Sequence, residues 1–173
     1  LASKYSNLPI FNVASKNESL RQECFDNLFH VITSEDMLDD AARQWLRKDP
    51  ASKATPTGWH YSFKKYAAAQ LNKRYNERFK EPMNEISWAG WASIKIISDT
   101  ISRVGDTNDL LFVLKNDLAF DGQKGISLSF RETGQLRQPL LMIEAEQVVG
   151  EAPVTEIVSD SSLDSLGITE CYK

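Results

Sequence analysis

Phe120-Asp121-Gly122-Gln123-Lys124-Gly125-Ile126-Ser127-Leu128-Ser129-Phe130-Arg131-Glu132-Thr133-Gly134-Gln135-Leu136-Arg137-Gln138-Pro139-Leu140-Leu141-Met142-Ile143-Glu144 is the stretch that decides the class of this fold. Ile126, Leu128 and Phe130 alternate with Ser127, Ser129 and Arg131, the period of two of a strand with one packed and one wet face. Asp121-Gly122 before it and Glu132-Thr133-Gly134 after it are turn formers. The apolar run Leu140 to Ile143 then returns, with Pro139 at its start, where a missing N–H costs no ladder bond. The reading is a β-hairpin pairing 126–131 with 140–148.

Working outward, four helices are expected on this hairpin. Ser34 is an N-cap, Glu35 and Asp36 follow in the first turn, and Met37, Leu38, Ala41, Ala42 and Trp45 make a buried stripe. Trp59, Phe63, Ala67, Leu71, Tyr75 and Phe79 recur every fourth residue, predicting a helix from Trp59 that Pro82 ends. The segment from Glu85 to Val104 starts apolar almost all round, which predicts a helix sandwiched on every side; Ala89, Gly90 and Ala92 would let a neighbour approach closely. Gly105 fits its C-cap, and Thr107 would open a fourth helix with Leu110, Leu111, Leu114 and Leu118 inward. Phe11-Asn12-Val13 and Leu28 to Ile32 read as short strands. After Val149 the chain turns polar, an extended tail in which Val154, Ile157 and Val158 form one short strand.

Composition bounds the function. A chain of 173 residues, 42% hydrophobic and 25% charged, is ordinary globular material without a run of about 20 apolar residues that would span a membrane. Its net charge of −4 opposes nucleic-acid binding. Lys64, Lys65, Lys73, Arg74, Arg78 and Lys80, interleaved with Glu77, read as a solvated face. Glu35, Asp36, Asp39 and Asp40 serve helix capping and solubility rather than catalysis. Asp160, Asp164 and Glu170 lack the spacing of a calcium loop. Phosphate loops, nucleophile elbows and paired histidines are missing, and Cys24 and Cys171 have no metal-ligand spacing. The chain reads as a non-enzyme with no cofactor and no metal.

Entered from a helix, with its Asp121-Gly122-Gln123-Lys124-Gly125 and Gly134-Gln135-Leu136-Arg137-Gln138-Pro139, the hairpin resembles the closing segment of type I periplasmic solute-binding proteins. These are the branched-chain amino-acid-binding-protein-like clamshells. More narrowly, it is similar to the subset encoded with pyrroloquinoline-quinone-dependent alcohol oxidation systems. Phe11 to Val13 with Leu20 to Cys24 and Phe29 to Val31, Trp59-His60 with Tyr66 to Tyr75, and Leu163 to Gly167 with Cys171 carry the same likeness. The resemblance implies an α/β fold, a periplasmic location and an oxidising compartment in which Cys24 and Cys171 pair; the alternative is two buried thiols.

A two-lobed clamshell needs more chain than this. The expectation is therefore a chain covering parts of two lobes, either because further residues complete it or because it is a shortened relative. Residues 1–48 would belong to the first lobe, 49–58 would be a break, 59–150 would carry the helices and hairpin of the second lobe, and 151–173 would return to the first. The implied function is capture of a small molecule between lobes and delivery to an ABC-type permease or other partner, by a monomer. Ser15, Trp59 and His60 are the candidate ligand contacts, because they sit on loops at element ends; Ser15 also reads as a capping residue and Trp59 as a core anchor. The alternative function is a non-transport accessory protein of a periplasmic alcohol dehydrogenase system.

Overall fold

The computed structural model describes residues 1–105, 109–158 and 162–171. In chain order these contain β1 (Ile10–Asn12), α1 (Ser19–Gln22), β2 (Leu28–His30), α2 (Glu35–Lys48), β3 (Thr55–Thr57), α3 (Ala68–Phe79), α4 (Glu85–Val104), α5 (Leu110–Asn116), β4 (Phe120–Asp121), β5 (Ser127–Leu128), β6 (Leu140–Glu144) and β7 (Gln147–Ala152). β1 and β2 pair in parallel, β4 and β5 antiparallel, and β6 lies between β3 and β7 in an antiparallel sheet of three.

β6 organises the core. Its side chains alternate: Leu140 and Met142 pack with Met37, Ala41 and Trp45 of α2 and with Ala152, Val154 and Leu166, whereas Leu141 and Ile143 join the larger cluster around Phe29, Trp59, Trp88 and Leu128. A strand buried on both faces has no polar side, which is why it reads as a continuous apolar run. Gly150 of β7 is where the α2 layer comes closest, since any Cβ there would collide with the Trp45 ring.

The strands pair differently from the hairpin expected at 126–131 and 140–148. Leu140–Glu144 instead pairs with Gln147–Ala152, and Ser127–Leu128 with Phe120–Asp121. Phe130 bridges Leu136 in a tight local return, and Gln135 beside it joins His30. His30 is the reason: its N–H donates to Gly134 O at 2.8 Å and its carbonyl accepts from Leu136 N at 2.9 Å, so the 130–136 backbone is satisfied by a segment a hundred residues away. Ile126, expected inside, stands exposed. Residues 49–58 contain strand β3.

α2 has the expected cap, Ser34 Oγ accepting from Met37 N at 3.2 Å. α4 spans the expected residues, opened by a capping box between Asn84 and Ser87 and closed at Gly105 with φ 72°. It is not sandwiched: Trp88, Ala89, Ala92 and Ile96 are buried, but Ile94 is 70% exposed and Ile86 and Ile101 also face out, and a Cβ at Gly90 would meet open space. α3 begins at Ala68, not Trp59, because Tyr66 and Ala67 take positive φ (53° and 66°) and break the helix path. Trp59 and Phe63 are buried all the same. The proposed helix start at Thr107 and Asp160 lie outside the described residues.

The tail carries no strand at Val154 to Val158; Ile157 N and Val158 N both turn back to Val154 O. Five ties hold it. Cys24 and Cys171 form a disulfide with Cα atoms 6.0 Å apart. Arg131, with its side chain fully buried, donates to Asp164 Oδ1 (3.0 Å), Leu163 O (2.5 Å) and Ile168 O (3.2 Å). Arg137 adds a second bond to Asp164 (2.8 Å), Gly167 N donates to Asp40 (2.7 Å), and Gln44 bonds both Ser165 O and Val154 N.

Candidate functional site

A cavity of about 560 Å³ opens where four separated parts of the chain meet. The loop after β1 gives Lys16; β3 and the segment after it give Thr55, Thr57, Trp59, His60 and Tyr61. The start of α4 gives Met83, Asn84, Glu85 and Ile86, and the β6–β7 hairpin gives Ile143 and Glu146.

Glu85 is its keystone. One carboxylate oxygen accepts from the Thr33 hydroxyl and from Gly58 N (3.1 Å), the other from Lys16 Nζ (2.6 Å). It lies in the first turn of α4, where the helix dipole favours an anion. Gly58 packs closely against it: a Cβ at residue 58 would sit 2.7 Å from Glu85 Oε1 and displace that carboxylate from its bonds.

Trp59 is held from behind. Its ring stacks on Trp88 with centroids 5.6 Å apart and planes 13° from parallel, and its indole N–H donates to Asn72 Oδ1 at 2.9 Å. Asn72 returns two bonds to the carbonyls of Tyr61 and Phe63, fixing the non-helical segment between Trp59 and α3. His60 Nδ1 lies 2.8 Å from Ser62 Oγ and its Nε2 3.6 Å from Glu146 Oε2. The Tyr61 hydroxyl donates to the same carboxylate at 3.1 Å, and that hydrogen bond, with a smaller contribution from burial, raises the phenol above its ordinary pKa.

The structure brings Trp59 and His60 into one cavity. Ser15 is not among the lining residues: its backbone closes a turn on Asn12, donating to Oδ1 (2.9 Å) and accepting from Nδ2 (2.7 Å), and this turn delivers the neighbouring Lys16 to the cavity. Sequence reasoning missed Lys16, Tyr61, Glu85, Ile143 and Glu146. Glu85 carried one signal, an acid in the first turn of a helix after Asn84, but that signal is met by capping alone.

No protein-family model and no curated protein matches the sequence. Solved structures do resemble it. An ABC transporter substrate-binding protein from Desulfitobacterium hafniense matches with a TM-score of 0.70 at 8% identity, over 85% of this chain and 75% of that one. An ABC-type branched-chain amino acid transporter from Rhodopseudomonas palustris CGA009 matches with a TM-score of 0.51 at 14% identity, over 93% and 53%. A branched chain amino acid ABC transporter periplasmic ligand-binding protein from Burkholderia xenovorans LB400 matches with a TM-score of 0.50 at 13% identity, over 60% and 33%. The chain thus spans between a third and three quarters of these structures. Its fold is the α/β fold of type I periplasmic binding proteins. Among the described residues, no helix is long and apolar enough to cross a membrane.

Proposed function

We propose that the chain is a solute-binding protein and that its ligand occupies the cavity between Lys16, His60, Glu85 and Glu146. The observation that carries this reading is the cavity itself: its volume falls within the range of small-molecule sites, and it pairs an apolar wall of Met83, Ile86 and Ile143 with convergent polar groups. The ligand is a small molecule with a charged or strongly hydrogen-bonding head and a short apolar body. The head meets Lys16 on one side and His60, Tyr61 and Glu146 on the other. Lys16 comes from residues 1–48 and His60, Glu85 and Glu146 from residues 59–150, so a bound ligand ties the two stretches together. In this reading the solute is delivered to an ABC-type permease, which the names of the fold's solved neighbours support, from a periplasmic location, which a disulfide suited to oxidising compartments supports. Nothing in this reading calls on catalysis.

A thermal-shift screen of free L-amino acids and small organic acids and alcohols tests it. A hit that raises the melting temperature in wild type, and not in His60→Ala, supports the reading. No shift with any solute, together with co-purification of a pyrroloquinoline-quinone alcohol dehydrogenase, would replace it with the accessory role.

A further inference from the structure

Lys124 lies outside the cavity lining, in the turn between β4 and β5, and is 2% exposed. Its ammonium donates to Gly58 O (2.5 Å), Gln138 Oε1 (2.6 Å) and Pro139 O (3.0 Å), and stands 4.2 Å from the centroid of the Trp88 ring. Among the described residues, no carboxylate bonds to it. Each partner connects to the cavity. Gly58 donates its N–H to Glu85 and precedes Trp59; Trp88 stacks on Trp59; and Pro139 leads into β6, which supplies Ile143.

We propose that Lys124 is a positioning residue that sets the wall of the solute cavity through its protonation state. The proposal rests on the functional reading only in calling that cavity a solute site. Three acceptors and one aromatic face match the three N–H donors and the charge of an ammonium. A neutral amine keeps two donors and no charge, so one acceptor is released and the attraction to Trp88 weakens. Whichever of the three is released, the tie between Gly58 and the Gln138–Pro139 entry to β6 loses one of its bonds. The change falls in an accessible range: burial, opposed by the more distant carboxylates of Glu85 on α4 and Glu151 on β7, lowers the Lys124 pKa to about 7. Those two are the charged groups acting on it among the described residues, and Glu151 is itself paired with Lys65 at 2.8 Å. The lowered pKa means that desolvation of the buried ammonium outweighs what its bonds return; opening the corner restores Lys124 to water, where its ordinary pKa is 10.5, so opening is easier below the midpoint and the corner resists it more as pH rises through about 7.

The test reads the ligand-free protein, so its outcome does not depend on whether any solute binds. Two-dimensional ¹H–¹⁵N NMR follows the Gly58 amide and the Trp59 and Trp88 indole N–H signals across neutral pH, in a His60→Gln background so that no imidazole adjoins Trp59. The expected result is a shared midpoint near 7 for all three, absent in Lys124→Met, with protection of the Gly58 amide, after correction for the base-catalysed rise of intrinsic exchange, greater above the midpoint than below it. The Trp45 indole, bonded to Ser52 at 2.9 Å, serves as the unmoved control. If Lys124→Met fails to fold, the titration in the His60→Gln protein still decides. Three signals without a common midpoint, or a midpoint that persists in Lys124→Met, overturn the proposal.

Discussion

Trp59 and Trp88 lie ring on ring, 29 positions apart in sequence and with centroids 5.6 Å apart, and this stack joins the cavity to the core. The front of Trp59 lines the cavity; the back rests on the helix that carries Glu85. Site and fold are therefore coupled, and substitution at Trp59 should disturb both.

Trp59→Ala is expected to cost about 3–5 kcal/mol, because the ring is fully buried and its removal orphans Asn72 Oδ1. Trp59→Phe keeps one six-membered ring against Trp88 but loses the N–H bond and part of the buried ring volume, so it should cost less than the alanine, about 2–3 kcal/mol. Urea unfolding of both variants checks the order. Equal midpoints for the two variants would mean that the ring retained in Trp59→Phe and absent in Trp59→Ala carries no weight.

Glu85→Gln retains the shape of the cluster and removes the charge facing Lys16. A stability loss of about 1–2 kcal/mol is expected, with the Lys16 ammonium left free to swing into the cavity. Glu85→Ala strips Thr33 and Gly58 of their acceptor as well and should cost more. Denaturant midpoints of the two variants, compared with Lys16→Met, separate the ion pair from the backbone bond.

The disulfide closes a separation of 147 residues, for which the chain-entropy model gives about 4–5 kcal/mol as an upper figure. Cys24→Ser with Cys171→Ser should lower the melting temperature without releasing the tail, since Arg131 still grips Asp164, Leu163 O and Ile168 O. Adding Arg131→Met should release it. Limited proteolysis reads the difference: cleavage between Ser162 and Cys171 is expected to accelerate sharply only in the triple variant.

His30 makes folding sensitive to acid. Asn12 Nδ2 lies 3.0 Å from its Nδ1, and because Asn12 Oδ1 already accepts from Ser15 N, that nitrogen must accept and the ring must be neutral. Burial, reinforced by the Arg21 guanidinium, pushes its pKa down from 6.5 to about 3. The unfolded chain thus binds a proton that the folded chain refuses: His30's contribution is complete above pH 6.5 and is lost as the pH falls toward 3. His30→Gln should flatten part of the stability decline across that window. An unchanged slope would show that carboxylates alone carry it.

What could be read in the sequence was local. Ser34 with its acidic first turn fixes α2, and Gly105 closes α4, because caps act within a few residues. The apolar period at Trp59, Phe63 and Ala67 imitates a helix because burial alone sets it; the conformation there is decided by Asn72, which bonds two of the carbonyls. The pairing of the 130–136 segment depends on His30, and a contact across a hundred residues leaves no periodic trace. Trp59 and His60 were legible as loop residues beside an aromatic run. Lys16 and Glu85 were not, since an ion pair between positions 69 apart is created only by folding. Lys124 is the clearest case: in a turn-like Asp121-Gly122-Gln123-Lys124-Gly125, nothing announces that the lysine points inward.

The measurement that most directly tests the solute-binding account is a calorimetric titration of the solute giving the largest thermal shift into wild type and into a folded His60→Ala, Glu146→Gln variant. The account predicts saturable binding of one solute per chain in wild type, weakened by about tenfold or more in the variant. Absence of saturable heat in wild type, or equal affinity in both proteins, would contradict it.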